Sequence, residues 1–184
     1  MISDLFAARG VAVVDTDVIS RGLLEPDQPA YHQVSDYFGP SILDSEHAID
    51  RAKLREIVFS NPAAKSWLEK MLHPLIFQRS LDEIRAHARA EYVLVVIPLL
   101  FETNFQALVD RILVVDCPPE TQMQRLLKRD RIDETLARTM LAQQFTNQQR
   151  LARAHDIIDN RSDESNLKTQ VDKHHQQYLE LAKI

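Results

Sequence analysis

Residues 11–17 read VAVVDTD, a short apolar run that ends in two carboxylates. The β-branched valines of this run favour a buried strand. Side chains of a strand alternate between its faces, so the i, i+2 spacing of Asp15 and Asp17 predicts both acids on one side of the strand end. There they can hold a metal ion or accept a proton from a hydroxyl group. A second interpretation stays open, in which Asp15 is solvated and Asp17 caps the following helix.

The composition is that of an ordinary globular protein, and it excludes several classes of protein. The chain has 184 residues, of which 45% are hydrophobic, enough for one domain with a sizeable core. A net charge of −5 argues against general nucleic-acid binding. The single cysteine, Cys117, excludes a disulfide framework or a cysteine-based zinc site within the chain. With no apolar run of membrane length and no signal-peptide pattern, we expect a cytoplasmic protein without a nucleic-acid or membrane partner.

Glycine is scarce in this sequence. The three glycines, Gly10, Gly22 and Gly39, are far apart. Phosphate-binding loops of the GxxxxGK[ST] and GxGxxG types need clustered glycines. Neither pattern occurs anywhere in the 184 residues.

Four strand-like segments alternate with helical patterns along the chain. The strands are expected at 11–15, 92–98, 111–116 and 156–160. The second and third are nearly continuous in Val, Ile and Leu, as is typical of strands that are buried on both faces. The longest helical pattern runs from about 63 to 90, where His73-Pro74 interrupts it and Pro74 is expected to kink the helix. This order predicts a three-layer α/β fold.

Polar side chains follow the predicted strands, at the edge where ligands bind in such folds. The segments concerned are Asp15 with Asp17, PLLFE (98–102), Asp116, and Asp159 with Asn160. Their convergence predicts a site where a metal ion meets a charged ligand. Taken singly, Glu102, Asp116 and Asn160 are equally typical of solvated loop, turn or capping residues.

Basic residues and one histidine form a second group of candidates. Arg125 and Arg129 are spaced i, i+4 and share a helix face, which suits the binding of a polyphosphate. The charge pattern by itself favours a solvated face on which these arginines form surface ion pairs with neighbouring acids. His73 precedes a proline within an apolar helix, a position more typical of a structural hydrogen-bonding residue than of a catalyst.

Taken in order, these segments resemble the dephospho-CoA kinase family of P-loop kinases. The matching segments are VVDTDVISR (13–21), RAKLREIVFSNP (51–62), LHPLI (72–76), VIPLLFE (96–102), ILVVDCPPETQMQRLLKRD (112–130), the QQ…R stretch (143–150) and HDIIDN (155–160). They cover nearly the whole chain in the order and spacing of the family. Each segment is unspecific alone, whereas the ordered set is specific.

The resemblance implies a three-layer α/β/α fold of the P-loop NTPase type with a parallel sheet. Residues 1–184 would form one kinase domain, with a helical acceptor-binding lobe over about 24–90 and a lid over about 118–150. The family begins with a strand and a GxxxxGK[ST] loop that lead into the first helix. This sequence begins inside that helix, so we expect the first strand and the loop to be missing.

The resemblance also implies the chemistry. ATP, with Mg²⁺, would transfer its γ-phosphoryl group to the ribose 3′-hydroxyl of dephospho-CoA, the last step of coenzyme A biosynthesis. Asp17 would be the general base, and Asp15 would hold magnesium or the ribose. The acceptor would be bound by His73, Pro98, Leu99 and Glu102, and ATP by Arg125 and Arg129 of the lid, with Asn160 near the adenine.

Two departures from the family pattern matter for these expectations. Asn160 is followed by Arg161 and Ser162, where the family usually has a glycine, which leaves the adenine contacts open. Because the phosphate-binding loop is absent from the sequence, we expect negligible kinase activity from the 184 residues. Two other functions stay open: a non-catalytic CoA-binding protein that has lost ATP binding, and a related nucleoside or nucleotide kinase, against which the LHP and PLLFE segments argue.

Overall fold

Helices alternate with short strands along the residues that the computed structural model describes, which are 2–130, 132–161 and 164–183. The helices are α1 (Ile2–Ala7), α2 (Thr16–Leu23), α3 (Pro29–Phe38), α4 (Arg51–Ser60), α5 (Pro62–Ala86), α6 (Pro119–Asp130), α7 (Glu134–Ala142), α8 (Asn147–Leu151) and α9 (Glu164–Leu181). The strands are β1 (Ala12–Asp15), β2 (Val93–Val96), β3 (Leu113–Asp116) and β4 (Asp156–Asp159). Within these described ranges, no helix is both long and apolar enough to cross a lipid bilayer.

The predicted α/β class is confirmed, and each of the four predicted strand segments contains a strand. β1 pairs with β2, and β3 pairs with β4 in parallel. The β3–β4 register aligns Leu113 with Asp156 and Asp116 with Asp159. The carboxyl ends of β3 and β4 therefore lie side by side.

Local capping explains where several helices begin. The Asp50 carboxylate accepts the N–H groups of Ala52 and Lys53 at the start of α4. Asn61 caps α5 in the same way, with Pro62 at its first position. The expected extension of this helix to residue 90 is wrong, whereas the expected kink at Pro74 stays a prediction. The helix continues through Pro74 to Ala86, because buried Leu72 and Ile76 anchor it on both sides of the proline.

Contacts between residues divide the chain into two compact units, and the boundary between them falls within β1 and β2. The terminal unit comprises 1–13, 89–94 and 99–184, and the central unit comprises 14–88 and 95–98. The predicted lid, 118–150, belongs to the terminal unit, and nearly all of the predicted acceptor lobe, 24–90, belongs to the central unit. Ser162, which follows Arg161 in the sequence, lies outside the described residues.

The core of the terminal unit joins α1, β4 and α9. Its buried members are Phe6, Val11, Ile158, Leu167, Val171 and Tyr178. The prediction that β3 is buried on both faces is wrong, since Val115 is 41% exposed, and on the paired strand β4 Ile157 is 47% exposed. The faces of a sheet are buried by the elements that pack on them, and at these two positions the side chains are not fully covered.

The core of the central unit is a separate apolar cluster beneath α3, α4 and α5. Its buried members are Tyr31, Val34, Ile42, Ile49 and Leu54. Trp67 of α5 packs against this cluster, and its ring stacks on Tyr37 at a centroid distance of 3.8 Å. Helix α2, which begins directly after β1, packs against α5 within this unit. The elements that carry Asp17 and His73 are therefore neighbours.

Candidate active site

Asp15 ends β1 and caps α2, which corrects the prediction for the two opening acids. Its Oδ1 accepts the N–H groups of Asp17 at 2.8 Å and Val18 at 3.3 Å. Asp17 lies in the first turn of α2 and not in the strand, so the strand-face argument for this pair is wrong. The capping role expected of Asp17 belongs to Asp15, because the chain enters the helix at Thr16 and the first N–H groups there need an acceptor.

The turn between β1 and α2 leaves carboxylate oxygens of Asp15 and Asp17 that a ligand can contact. The capping bonds of Asp15 use Oδ1, and Oδ2 has no hydrogen bond within the described part of the chain. The side chain of Asp17 is exposed in the first turn of α2, where the helix dipole stabilises a negative charge. Asp15 can therefore give one oxygen to a hard cation, and Asp17 can reach a hydroxyl group of a ligand.

Thr16, between the two acids, holds the turn in place. Its side chain is buried, with 6% of the residue exposed, and its Oγ1 donates a hydrogen bond of 3.0 Å to the carbonyl of Val96. Val96 is the last residue of β2 and comes two residues before Pro98. The hydroxyl of Thr16 therefore fixes the start of α2 against the end of β2. The sequence reasoning passed over this residue, although a hydroxyl between two acids at a strand end is a visible signal.

We expect Thr16→Val to lower the free energy of unfolding by about 1–2 kcal/mol, because the partly buried carbonyl of Val96 loses this donor. Thr16→Ser keeps the hydroxyl and is the matched control, with a loss below about 1 kcal/mol for the missing methyl group. Urea denaturation followed by tryptophan fluorescence measures both, since Trp67 lies in the same unit. Equal stability of the valine variant and the wild type would show that the bond contributes nothing.

The residues expected to bind the acceptor lie on two elements. His73 is half-buried on α5, while Pro98 and Leu99 are exposed just after β2. The carbonyl of Leu99 accepts the N–H and the hydroxyl of Thr103 at 3.0 and 2.7 Å, so the chain folds into tight turns there. Oε1 of Glu102 accepts the backbone N–H of Phe145 at 2.7 Å.

Arg125 and Arg129 both lie on α6 and are exposed. Nη2 of Arg125 approaches the carbonyl of buried Asn160 at 3.4 Å, so the structure brings these two predicted residues together. Arg129 instead donates to Asp130, from Nε at 2.7 Å and from Nη2 at 3.1 Å. The surface ion pairing that the sequence left open is thus observed for Arg129.

A polar network lies at the carboxyl ends of β3 and β4, and the sequence did not predict that Asn147 and Arg161 take part in it. Buried Asp116 accepts hydrogen bonds from Nδ2 of Asn147 at 3.1 Å and from Nη2 of Arg161 at 2.9 Å. Arg161 also lies 3.3 Å from Asp159, and its hydrogen bond with Asp116 is the main reason that the pKa of its guanidinium is raised. Arg161, which directly follows Asn160, therefore joins the ends of both strands.

Metal binding by the protein alone has no support in the geometry. In residues 2–130, 132–161 and 164–183, no group of three or more His, Cys, Asp or Glu side chains could hold an ion. Magnesium is commonly held by one or two carboxylates together with phosphate oxygens and water. The free oxygen of Asp15 fits that type of site.

Comparison with known proteins identifies the family. The family model for dephospho-CoA kinase matches residues 1–166. The chain is 42% identical over 181 residues to the dephospho-CoA kinase of Sodalis glossinidius, with 98% of this chain and 86% of that one covered. It is 40% identical over 181 residues to that of Escherichia coli, with 98% and 87% covered.

Solved structures agree with the sequence comparisons. A dephospho-CoA kinase from Campylobacter jejuni superposes with a TM-score of 0.71 at 25% identity, covering 97% of this chain and 90% of that one. A protein from Thermus thermophilus gives a TM-score of 0.79 at 23% identity, covering 96% and 88%, and shows the same fold. With its carboxylates after β1 and its arginines on α6, this chain belongs to the dephospho-CoA kinase family, and it is a kinase of the α/β class.

Proposed function

We propose that this protein transfers the γ-phosphoryl group of ATP to the ribose 3′-hydroxyl of dephospho-CoA and so completes coenzyme A biosynthesis in the cytoplasm. The reaction class comes from the family. The single observation that supports the proposal most directly is the β1–α2 turn, in which Asp15 caps the helix and Asp17 presents an exposed carboxylate. This arrangement suits a base that must reach the hydroxyl of an incoming ligand.

Asp17 is the proposed general base. The 3′-oxygen of the acceptor attacks the γ-phosphorus atom of ATP, its proton passes to the carboxylate of Asp17, and ADP leaves with the electrons of the broken bond. Phosphoryl transfer depends mainly on positioning and on neutralisation of charge. A carboxylate on a helix that is fixed at its first turn meets the requirement for positioning.

Asp15 is the proposed protein ligand of magnesium, through Oδ2, with the remaining positions left to phosphate oxygens and water. Bound Mg²⁺ neutralises the charge that develops on the phosphate oxygens. Because Oδ1 is held by two N–H groups, the carboxylate of Asp15 stays in one orientation without the ion. His73, Pro98 and Leu99 are the proposed acceptor contacts.

Arg125 and Arg129 are proposed to bind the phosphates of ATP, and Asn160 to contact the adenine. Both arginines lie on one face of α6 and are exposed, and guanidinium groups suit the binding of phosphate oxygens. In this proposal residues 1–184 belong to one kinase domain, with 24–90 as the acceptor lobe and 118–150 as the lid. The proposed partners are ATP and dephospho-CoA, without nucleic acid or membrane.

The 184 residues alone are expected to bind dephospho-CoA without transferring phosphate, because no loop in them has the GxxxxGK[ST] pattern that binds the β- and γ-phosphates. The test compares this chain with an extended polypeptide, in which a strand and such a loop precede α1. Formation of ADP and of coenzyme A is followed by chromatography. The control is the same extension with methionine in place of the loop lysine.

Transfer by the extended polypeptide alone supports the proposal. Binding of dephospho-CoA by both polypeptides without any transfer would favour a non-catalytic CoA-binding protein. Transfer to other nucleosides in preference to dephospho-CoA would favour a kinase of different specificity. Transfer by the 184 residues at the rate of the extended polypeptide would refute the requirement for the loop.

A further inference from the structure

Glu102 ends the PLLFE segment and contacts the connection between α7 and α8 in the terminal unit. Its Oε1 accepts the backbone N–H of Phe145 at 2.7 Å, and the bond is partly buried. Phe145 lies after the end of α7 and directly before Thr146, the N-cap of α8. The carboxylate therefore supplies the acceptor for an N–H group that lies between two helices.

A second contact of different chemistry joins the same two segments. The guanidinium of Arg153 lies 4.5 Å from the ring centre of Phe145 and 5.6 Å from that of Phe101. The two phenylalanine rings are themselves 5.6 Å apart. Cation–π contacts of this kind are favourable and hold the rings in one arrangement. Phe145 therefore contacts residue 102 through its backbone N–H and residue 101 through its side chain.

From Phe145 the contacts continue to the carboxyl end of β3. Thr146 and Gln149 form a capping box that fixes the first turn of α8. Asn147, in that turn, donates through Nδ2 to Asp116 at 3.1 Å and to the carbonyl of Cys117 at 2.7 Å. Glu102 and Asp116 are therefore connected through one short helix.

We propose that Glu102 is a positioning residue that does not contact dephospho-CoA but links the acceptor segment, residues 98–102, to Asn147 and Asp116. The proposal rests on the proposed function, which puts the acceptor at this segment. Acceptor binding that orders residues 98–102 then also orders the start of α8. The resemblance to the family had instead implied that Glu102 binds the acceptor directly.

The two roles of Glu102 differ in which partner loses its acceptor when the side chain is removed. An N–H group is satisfied by an amide oxygen as well as by a carboxylate, so Glu102→Gln keeps the link to Phe145. Glu102→Ala removes it. Because an amide oxygen also accepts from a ribose hydroxyl, direct contact with the acceptor is detected by the Kd of Glu102→Ala for dephospho-CoA.

Hydrogen exchange in the 184-residue chain, resolved at the amide of Phe145, tests the link. Glu102→Ala is expected to speed exchange of that amide at least about tenfold, because loss of the hydrogen bond makes local opening easier by roughly that factor. Glu102→Gln keeps an acceptor and should speed exchange by less than about threefold. Amides of α9 serve as the internal control and should not change. If the alanine variant does not fold, Arg153→Leu tests the same link from the other side and should also speed this exchange.

Addition of dephospho-CoA tests the transmission. In the wild type and in Glu102→Gln it should slow exchange at 143–151, whereas in Glu102→Ala the slowing should be absent while the Kd stays within about threefold. Unchanged exchange of Phe145 in Glu102→Ala would overturn the link. A loss of affinity of more than about tenfold in Glu102→Ala would indicate direct contact with the acceptor and overturn the proposal. If the wild type does not bind dephospho-CoA, the proposed function fails, and exchange at Phe145 still decides whether Glu102 holds α8.

Discussion

Asp17→Asn in the extended polypeptide is expected to lower kcat by about 10²–10⁴-fold, the usual contribution of a general base. The KM for ATP should stay within about threefold, because the substitution removes an interaction that forms in the transition state. The amide keeps the size of the side chain and the backbone bond to Asp15, so the α2 turn persists. Initial rates measured over a range of ATP and dephospho-CoA concentrations separate the two parameters.

The control for this variant is Asp36→Asn, which removes an exposed carboxylate from α3 in the same unit and should leave kcat unchanged. Asp15→Asn keeps the oxygen that caps α2 but removes the charge that would bind magnesium. The rate of transfer should therefore fall in this variant and be partly recovered at higher Mg²⁺ concentration. An equal loss of kcat and of ATP affinity in Asp17→Asn would contradict the role of Asp17 as the base.

Arg111→Met should lower the free energy of unfolding by about 2–3 kcal/mol, because it leaves the carboxylate of Asp156 buried without its cation. Nε and Nη2 of Arg111 donate to Asp156 at 2.5 and 2.9 Å, and the hydroxyl of Tyr178 donates at 3.0 Å. The Asp156 side chain is 7% exposed and that of Arg111 is 37% exposed. Solvent reaches part of the guanidinium, so the expected loss is below the value of about 3–5 kcal/mol for a fully buried pair.

The same pair predicts a dependence of stability on pH. The pKa of Asp156 is lowered mainly by the hydrogen bond from Arg111, although burial of the carboxylate acts in the opposite direction and raises it. A lowered pKa in the folded state stabilises the protein above the unfolded pKa of about 3.9, and this contribution is lost as the pH falls through the folded pKa. Urea denaturation between neutral pH and about pH 3 should therefore show a smaller loss in Asp156→Asn than in the wild type. Equal slopes for both proteins, or full stability of Arg111→Met, would contradict this assignment.

Local signals in the sequence were sufficient for most elements of the fold. The caps at Asp50 and Asn61 depend on local sequence alone, because a capping residue acts on N–H groups only two or three positions away. The error at Asp15 and Asp17 has a local cause as well. The period of the side chains changes from 2 to 3.6 where a strand meets a helix, so a boundary misplaced by one or two residues moves a side chain to another face.

The long-range contacts that organise the candidate site could not be predicted from local signals in the sequence. Glu102 and Phe145 are 43 positions apart, and Asp116 and Arg161 are 45 apart. Both contacts depend on how distant segments of the chain pack together, which the types of these residues do not specify. The resemblance to the family came from the order of many short segments, each of which was unspecific. The roles of Asp17, Arg125 and Arg129 therefore stay proposals that rest on family membership and on the position of each side chain.

The most direct measurement is the structure of the product that the extended polypeptide forms from ATP, Mg²⁺ and dephospho-CoA. Phosphorus NMR and mass spectrometry should identify coenzyme A with its new phosphate on the ribose 3′-oxygen. The 3′-deoxy analogue of dephospho-CoA should yield no product, although it should still bind. Phosphorylation of that analogue, or no product from a folded polypeptide whose phosphate-binding loop is intact, would contradict the proposed function.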